Sequence, residues 1–109
     1  MPRAVPLDTV MRTLADPTRR AVFERIIQSG EISVADLTQG SGVTQSAISQ
    51  HLRSLKLAGL VADRAHGRNV FYRAEQKGLA PLVDWMSHYG VFWRDRIAHL
   101  RNLLKEIDP

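Results

Sequence analysis

The chain has 109 residues, of which 44% are hydrophobic, and this is enough for a single domain with one core. The absence of cysteine excludes disulfides, thiol redox sensing and thiolate metal sites. There is no long apolar run, and the first ten residues lack the apolar centre of a signal peptide, so we expect a cytoplasmic protein that does not span a membrane.

The formal net charge of +4 is concentrated in one part of the chain. Residues 37–77 contain six lysines and arginines and two acidic residues, which gives this segment a net charge of +4. The rest of the chain contains nine basic and nine acidic residues, whose charges cancel. A localised basic region predicts a polyanionic partner. The alternative is a basic surface that contacts only solvent.

The first half of the chain predicts three helices. Apolar spacing indicates a short helix over residues 7–14. Asp16 and Pro17 then provide an N-cap and a first helical residue for a second helix, which ends at Gly30. Ser33 is the predicted cap of a third, short helix over residues 34–39. The residues expected to face inward from the second helix are Ala21, Val22, Ile26 and Ile27.

The fourth predicted helix starts after its N-cap Thr44 and ends at Gly59. On a helical wheel Ile48, Leu52 and Leu55 form one buried stripe. The opposite side carries hydroxyl groups, an amide and one base but no acid, and it consists of Ser46, Ser49, Gln50 and Arg53, with Gln45 and His51 at its edges. Solvent-facing helices usually carry Glu and Lys, so this face is predicted to approach another molecule closely.

Two strands and a final helix complete the pattern. Residues 60–65 and 69–74 have high β-propensity, and Gly67 supplies a positive φ to the tight turn between them. From residue 79 onward we expect one long helix. Its apolar stripe recurs every three or four residues and comprises Leu82, Met86, Tyr89, Trp93, Ile97, Leu100, Leu104 and Ile107.

The predicted order α-α-α-α-β-β-α describes a winged helix-turn-helix, mostly helical with a small hairpin. The segments "LADPTRRAVFERI", "TQSAISQHLRSLKLAGLV" and "GRNVFYR" resemble the ArsR/SmtB family of bacterial winged-helix repressors, over about residues 7–76. The resemblance implies a homodimer that binds a palindromic operator in double-stranded DNA, and release by a small-molecule or protein inducer. We therefore expect one winged-helix domain over residues 1–109, in which residues 77–109 form the dimerisation helix.

Two groups of residues are expected to contact DNA. Ser46, Ser49, Gln50 and Arg53, with Gln45 at the edge, would exchange hydrogen bonds with base edges in the major groove. Thr44, Lys56 and either Arg19 or Arg20 would bind phosphates, and Arg68 on the wing would reach phosphate or the minor groove.

The terminal helices are expected to hold the dimer together, because an exposed stripe so rich in aromatic residues needs cover. A small apolar ligand pocket within this stripe is the alternative that stays open. The predicted interface residues are Leu7, Val10, Met11, Leu14, Leu82, Met86, Tyr89, Trp93, Ile97 and Leu100.

No metal or cofactor site is predicted. The thiolate site of the resembled family would fall on Ser33 and Ala35, and its last-helix ligands would fall near Gln76, Gly78, Tyr89 and Phe92, none of which binds zinc well. His88 and His99 are too far apart on one helix to share an ion, so only a dimer could join them.

Three other classes of function fit less well. An enzyme that used Ser46, Ser49 and His51 would need a nearby acid to orient the histidine, and the sequence offers none there. It also contains no phosphate-binding loop. An RNA-binding protein would be expected to expose aromatic residues interleaved with lysines and arginines, and this sequence does not show that pattern. A winged helix that docks proteins instead of DNA would favour an acidic or apolar outer face on the fourth helix.

Overall fold

The structure, a computed structural model, describes residues 5–107. Six helices, three strands and a 3₁₀ turn follow one another in this part of the chain. Their bounds are α1 Leu7–Ala15, α2 Pro17–Ser29, β1 Glu31–Ser33, α3 Val34–Thr38, α4 Gln45–Leu57, β2 Val61–His66, β3 Asn69–Ala74, the 3₁₀ turn Gln76–Leu79, α5 Ala80–His88 and α6 Gly90–Ile107.

The helix-turn-helix and its wing are formed as predicted. Helices α3 and α4 make the helix-turn-helix, and β2 and β3 make the hairpin, with Gly67 at φ 63° in its turn. All three predicted helix caps form. The side chains of Asp16, Ser33 and Thr44 accept hydrogen bonds from the backbone N–H groups of Arg19, Asp36 and Ala47.

A third strand was not predicted. Strand β1 pairs antiparallel with β3, so that the sheet order is β1-β3-β2, and Ile32 lies opposite Tyr72. The strand is three residues long and has one apolar residue, which is too short for an alternating pattern to be seen. Its existence depends on the β3 edge that becomes available only when the chain folds.

The core lies between α1, α2, α4 and the sheet. Ile48, Leu52 and Leu55 are buried, as the helical wheel predicted. In α2 the prediction was partly wrong: Val22 and Ile26 are buried, but Ala21 and Ile27 are exposed, and the side chain of Phe23 is buried instead. The reason is that α2 packs against α1, α4 and β3 together, which turns its buried stripe toward Phe23.

The long terminal helix is broken, contrary to the prediction. Tyr89 has φ −115° and ψ 17°, outside helical geometry, and separates α5 from α6. Its N–H bonds to the carbonyl of Met86, three residues back, which tightens the last turn of α5. Gly90 follows directly, and glycine is among the weakest helix formers. The apolar spacing continues across this junction, which is why the pattern hid the break.

The junction between the wing and α5 depends on a close contact between two glycines. A Cβ on Gly78 would lie 2.2 Å from the carbonyl oxygen of Gly59, so only glycine allows the two backbones to approach this closely. This contact fixes the start of α5 against the end of α4. Within residues 5–107, no helix is both long enough and apolar enough to cross a bilayer.

Candidate nucleic-acid interface

Helix α4 presents its polar face to solvent. Burial of Ile48, Leu52 and Leu55 fixes the rotation of the helix about its axis, and the opposite side therefore points away from the core. The half-buried His51 flanks the core. The predicted base-contacting residues Gln45, Ser46, Ser49, Gln50 and Arg53 are all exposed, and so is the cap residue Thr44.

The wing tip lies beside the first half of α4. Gln45 and Ser49 of the helix and Arg68 and Asn69 of the wing line one cleft of about 290 Å³. About twenty positions separate these two pairs in the chain, and the antiparallel hairpin brings them together. The polar face of α4 and the tip of the wing thus form one continuous surface, which we call the α4–wing surface.

Lys56 is paired with an acid that the sequence did not connect to it. Its Nζ lies 2.9 Å from Oδ1 of Asp63, at the root of the wing. The hydrogen bond from Lys56 lowers the pKa of the Asp63 carboxyl, and the same bond raises the pKa of Lys56. Both groups therefore stay ionised at neutral pH, and a phosphate that binds Lys56 must compete with this carboxylate.

Arg19 and Arg20 hold the end of α1. The guanidinium of Arg19 donates to the carbonyl of Thr13 at 3.3 Å, and that of Arg20 donates to the carbonyl of Leu14 at 2.7 Å. Arg20 is exposed, whereas Arg19 is half-buried. Both side chains neutralise the negative end of a helix, so a phosphate contact would be an additional role for either.

The outer face of the wing carries a second set of ion pairs. Arg64 makes a bidentate pair with Glu31 of β1, which lowers the pKa of that carboxyl, and its guanidinium lies 5.3 Å from the ring centre of Phe71. Arg73 pairs with Glu75 at 3.2 Å. In the described part of the chain, Arg53 and Arg68 have no such acidic partner. Three bases of residues 37–77 lack an ion pair in the described chain: Arg53 and Arg68 lie on the α4–wing surface, and Lys77 lies in the 3₁₀ turn before α5.

The predicted dimer residues divide into buried and exposed ones. Val10 is fully buried in the core of its own subunit, so its place in the predicted interface was wrong. Leu7, Leu14 and Leu82 are half-buried, since α1 packs against α5 within the subunit. The exposed members are Met11, Met86, Tyr89, Trp93, Ile97 and Leu100.

Four aromatic rings gather where α5 meets α6. The ring centres of Trp85 and Tyr89 are 5.7 Å apart, and those of Phe92 and Trp93 are 5.0 Å apart at an interplanar angle of 83°. Together they line an open cleft of about 360 Å³. Because Tyr89 and Trp93 also belong to the predicted interface, a second subunit and a small apolar ligand would compete for this cleft.

The histidines of the terminal helices lie on the surface. Both His88 and His99 are exposed, and Nδ1 of His88 is 2.8 Å from the carbonyl oxygen of Asp84. Among residues 5–107, no cluster of three or more His, Cys, Asp or Glu side chains is placed to hold a metal ion.

Comparison with known proteins gives the same architecture. A family model described as "Helix-turn-helix domain" matches residues 14–64. The HTH-type transcriptional regulator Rv2034 of Mycobacterium tuberculosis is 43% identical over 97 residues, which cover 89% of this chain and 87% of that protein. The HTH-type transcriptional repressor SmtB of the same organism is 38% identical over 82 residues, which cover 74% of this chain and 60% of that protein.

Comparison with solved structures also gives this architecture. A possible transcriptional regulator for arsenical resistance superposes with a TM-score of 0.69 at 37% identity, and the match covers 84% of this chain and 94% of the other. The chain belongs to the ArsR/SmtB family of winged-helix transcriptional regulators. Another similar structure is a homodimeric winged helix-turn-helix DNA-binding domain from Mycobacterium bovis, described as a possible ArsR-family transcriptional regulator, with a TM-score of 0.62 and 26% identity over 77% of each chain.

In this family's winged helix-turn-helix fold, α3 and α4 form the helix-turn-helix and the β2–β3 hairpin forms the wing. The relatives described above are named as transcriptional regulators. The ion pairs of Lys56 and Arg64 had no sequence signal, because their acidic partners lie on other elements of the fold.

Proposed function

We propose that the protein is a homodimeric repressor that binds a palindromic operator, with α4 in the major groove and the wing tip on the adjacent backbone or minor groove. The observation that carries this proposal is the α4–wing surface. It is exposed, free of acids along the outer face of α4, and it contains the two arginines Arg53 and Arg68, which lack acidic partners within residues 5–107. Such a surface matches the charge and the hydrogen-bonding groups of a DNA groove.

Each residue has a role that follows from its position. Arg53 can grip a guanine by two hydrogen bonds, and Ser46, Ser49 and Gln50 can bond to base edges beside it. Gln45 lines the cleft between α4 and the wing together with Arg68. Thr44, Lys56 and Arg68, with Arg20 or Arg19 at the start of α2, are the proposed phosphate contacts, which set the register of the protein on the duplex.

The homodimer is supported by the apolar surface of the terminal helices. Twelve of the sixteen exposed large hydrophobic residues of the described chain lie between Val83 and Ile107. Helix α6 has 18 residues, none of them buried, and is about 27 Å long. A surface of this kind requires cover. The M. bovis neighbour is described as homodimeric, and a two-fold dimer would place two recognition helices on successive half-sites.

The repressor role rests on the named relatives, among which SmtB of M. tuberculosis is a repressor. A regulator that occupies an operator blocks transcription without any chemistry of its own. Release by a small-molecule or protein inducer remains the prediction that follows from the family.

The test is DNA binding measured against salt concentration. About three phosphate contacts per subunit give a slope of log K against log[salt] of about −5 for the dimer. Fluorescence anisotropy should be recorded with a duplex from the protein's own upstream region and with a scrambled duplex of equal length. Binding that does not depend on salt, or no preference for the upstream duplex, would contradict the proposal, and the complete absence of DNA binding would favour a protein-docking role.

A further inference from the structure

Asp63 places a negative charge beside the α4–wing surface. Its Oδ1 is 2.9 Å from Nζ of Lys56, which lies in the last turn of α4. The only other acid in residues 37–77, Glu75, pairs with Arg73 instead. Lys56 follows Arg53 by one turn of the same helix. Asp63 thus neutralises one of the proposed phosphate contacts, next to the arginine proposed to read a base.

The three charges lie close enough to act on one aromatic ring. Tyr72 is the cross-strand partner of Asp63 in the sheet. Burial raises the pKa of the Tyr72 phenol and the Asp63 carboxylate raises it further, whereas Lys56 and Arg53 lower it. At the root of the wing, the ion pair of Lys56 and Asp63 therefore lies beside the half-buried Tyr72, on the strand next to it.

The pair between Lys56 and Asp63 contributes little to the stability of the fold. The side chain of Lys56 is 52% exposed and that of Asp63 is 33% exposed, so water screens their attraction. The pair has a larger effect on the binding of anionic ligands to Lys56. Carboxylate and phosphate oxygens accept the same kind of charge-assisted hydrogen bond from an ammonium group, so they compete for Lys56.

We propose that Asp63 competes with DNA phosphate for Lys56 and thereby lowers the affinity of the protein for DNA of any sequence. This inference rests on the proposed DNA-binding function. Phosphate contacts carry no sequence information, whereas the base contacts of Arg53 and its neighbours do. Weaker phosphate contacts shorten the residence time of the protein on unrelated DNA and leave the base contacts unchanged.

The central experiment replaces the acid by its neutral isostere. Asp63→Asn should bind both the upstream duplex and a scrambled duplex more tightly than the wild type. In the wild type the contact of Lys56 with phosphate is partial, because Asp63 competes for it. If Asp63→Asn makes this contact complete in both subunits, the slope of log K against log[salt] becomes steeper by up to about 1.8 for the dimer. The affinity of Asp63→Asn divided by that of the wild type should then fall by up to about 12-fold between 50 and 200 mM salt.

Glu75→Gln is the matched control. It also removes one carboxylate from an ion pair with a base, and Glu75 is exposed to the same extent as Asp63, at 33%. Because Glu75 lines a cleft with Phe23 and Ile27 of α2, away from α4, its removal should leave DNA affinity within about twofold of the wild type. A similar gain in both variants would show that net charge alone is responsible, and would overturn the specific role of Asp63.

A second pair of variants separates competition from positioning. Lys56→Gln should weaken binding, and Asp63→Asn added to it should restore little, because the group for which the carboxylate competes is gone. If Asp63→Asn weakens binding instead, the pair positions the wing against α4, and the proposal is wrong. An unchanged affinity and salt slope in Asp63→Asn also overturns it. A wild-type protein that binds no duplex in the same titration counts against the proposed function itself.

Discussion

Trp93→Ala tests whether the terminal helices form the dimer interface and whether dimerisation controls operator affinity. Trp93 is 44% exposed in the isolated subunit. A tryptophan presents about 250 Å² of surface, so about 110 Å² of Trp93 remains for a partner to cover. At about 25 cal/mol per Å² this is worth about 2.8 kcal/mol, and a two-fold interface contains the residue twice. The dimer should lose about 5.5 kcal/mol, which raises its dissociation constant about 10⁴-fold.

Sedimentation velocity at micromolar concentration should show a dimer for the wild type and a monomer for Trp93→Ala. Operator affinity in fluorescence anisotropy should fall with it, although the residue lies on α6 rather than on the α4–wing surface. Far-UV circular dichroism should show that the helices persist, because no side chain of α6 is buried in the subunit. Ile27→Ala is the control, since Ile27 is 50% exposed but lies on α2. A Trp93→Ala protein that remains dimeric and binds the operator fully would refute this reasoning and place the interface elsewhere, most simply on α1.

Three further predictions concern the recognition face, the glycine contact and metals. Arg53→Ala should weaken binding to the operator by about 1–3 kcal/mol and binding to scrambled DNA by much less, with an unchanged circular dichroism spectrum. An equal loss of affinity for both duplexes would show that Arg53 contacts only phosphate. Gly78→Ala should lower the free energy of unfolding, measured in urea, by about 1–3 kcal/mol, because the new Cβ would clash with the backbone of Gly59. Gly90→Ala is the control and should not destabilise the fold, since a Cβ there would have only the end of the Arg94 side chain nearby, at 3.8 Å. Stoichiometric zinc, cadmium or arsenite should not release DNA, and a metal-dependent release that His88→Ala abolishes would show that a histidine site forms across the dimer.

The sequence by itself determined the elements whose signals are local. Asp16, Ser33 and Thr44 precede helical segments and can satisfy free N–H groups there, so the starts of α2, α3 and α4 were predictable. The rotation of α4 was predictable for a similar reason, since three large apolar residues at helical spacing must face the core. The exposure of the polar face of α4 follows directly from that rotation. The prediction of a winged helix-turn-helix regulator rested on this acid-free face together with the basic hairpin tip, the local charge and the resemblance of three segments to the ArsR/SmtB family.

Other features depended on contacts between residues that are distant in the chain. Strand β1 exists because β3 offers it an edge, and the pairing brings Glu31 to Arg64 across 33 positions. Lys56 and Asp63 meet because β2 turns back along the end of α4, which no spacing rule expresses. Val10, predicted for the interface, is buried within the subunit, because α1 packs against both α2 and α5. Hydrophobic periodicity shows that a side chain will be covered, but only the packing of whole elements decides whether its own subunit covers it.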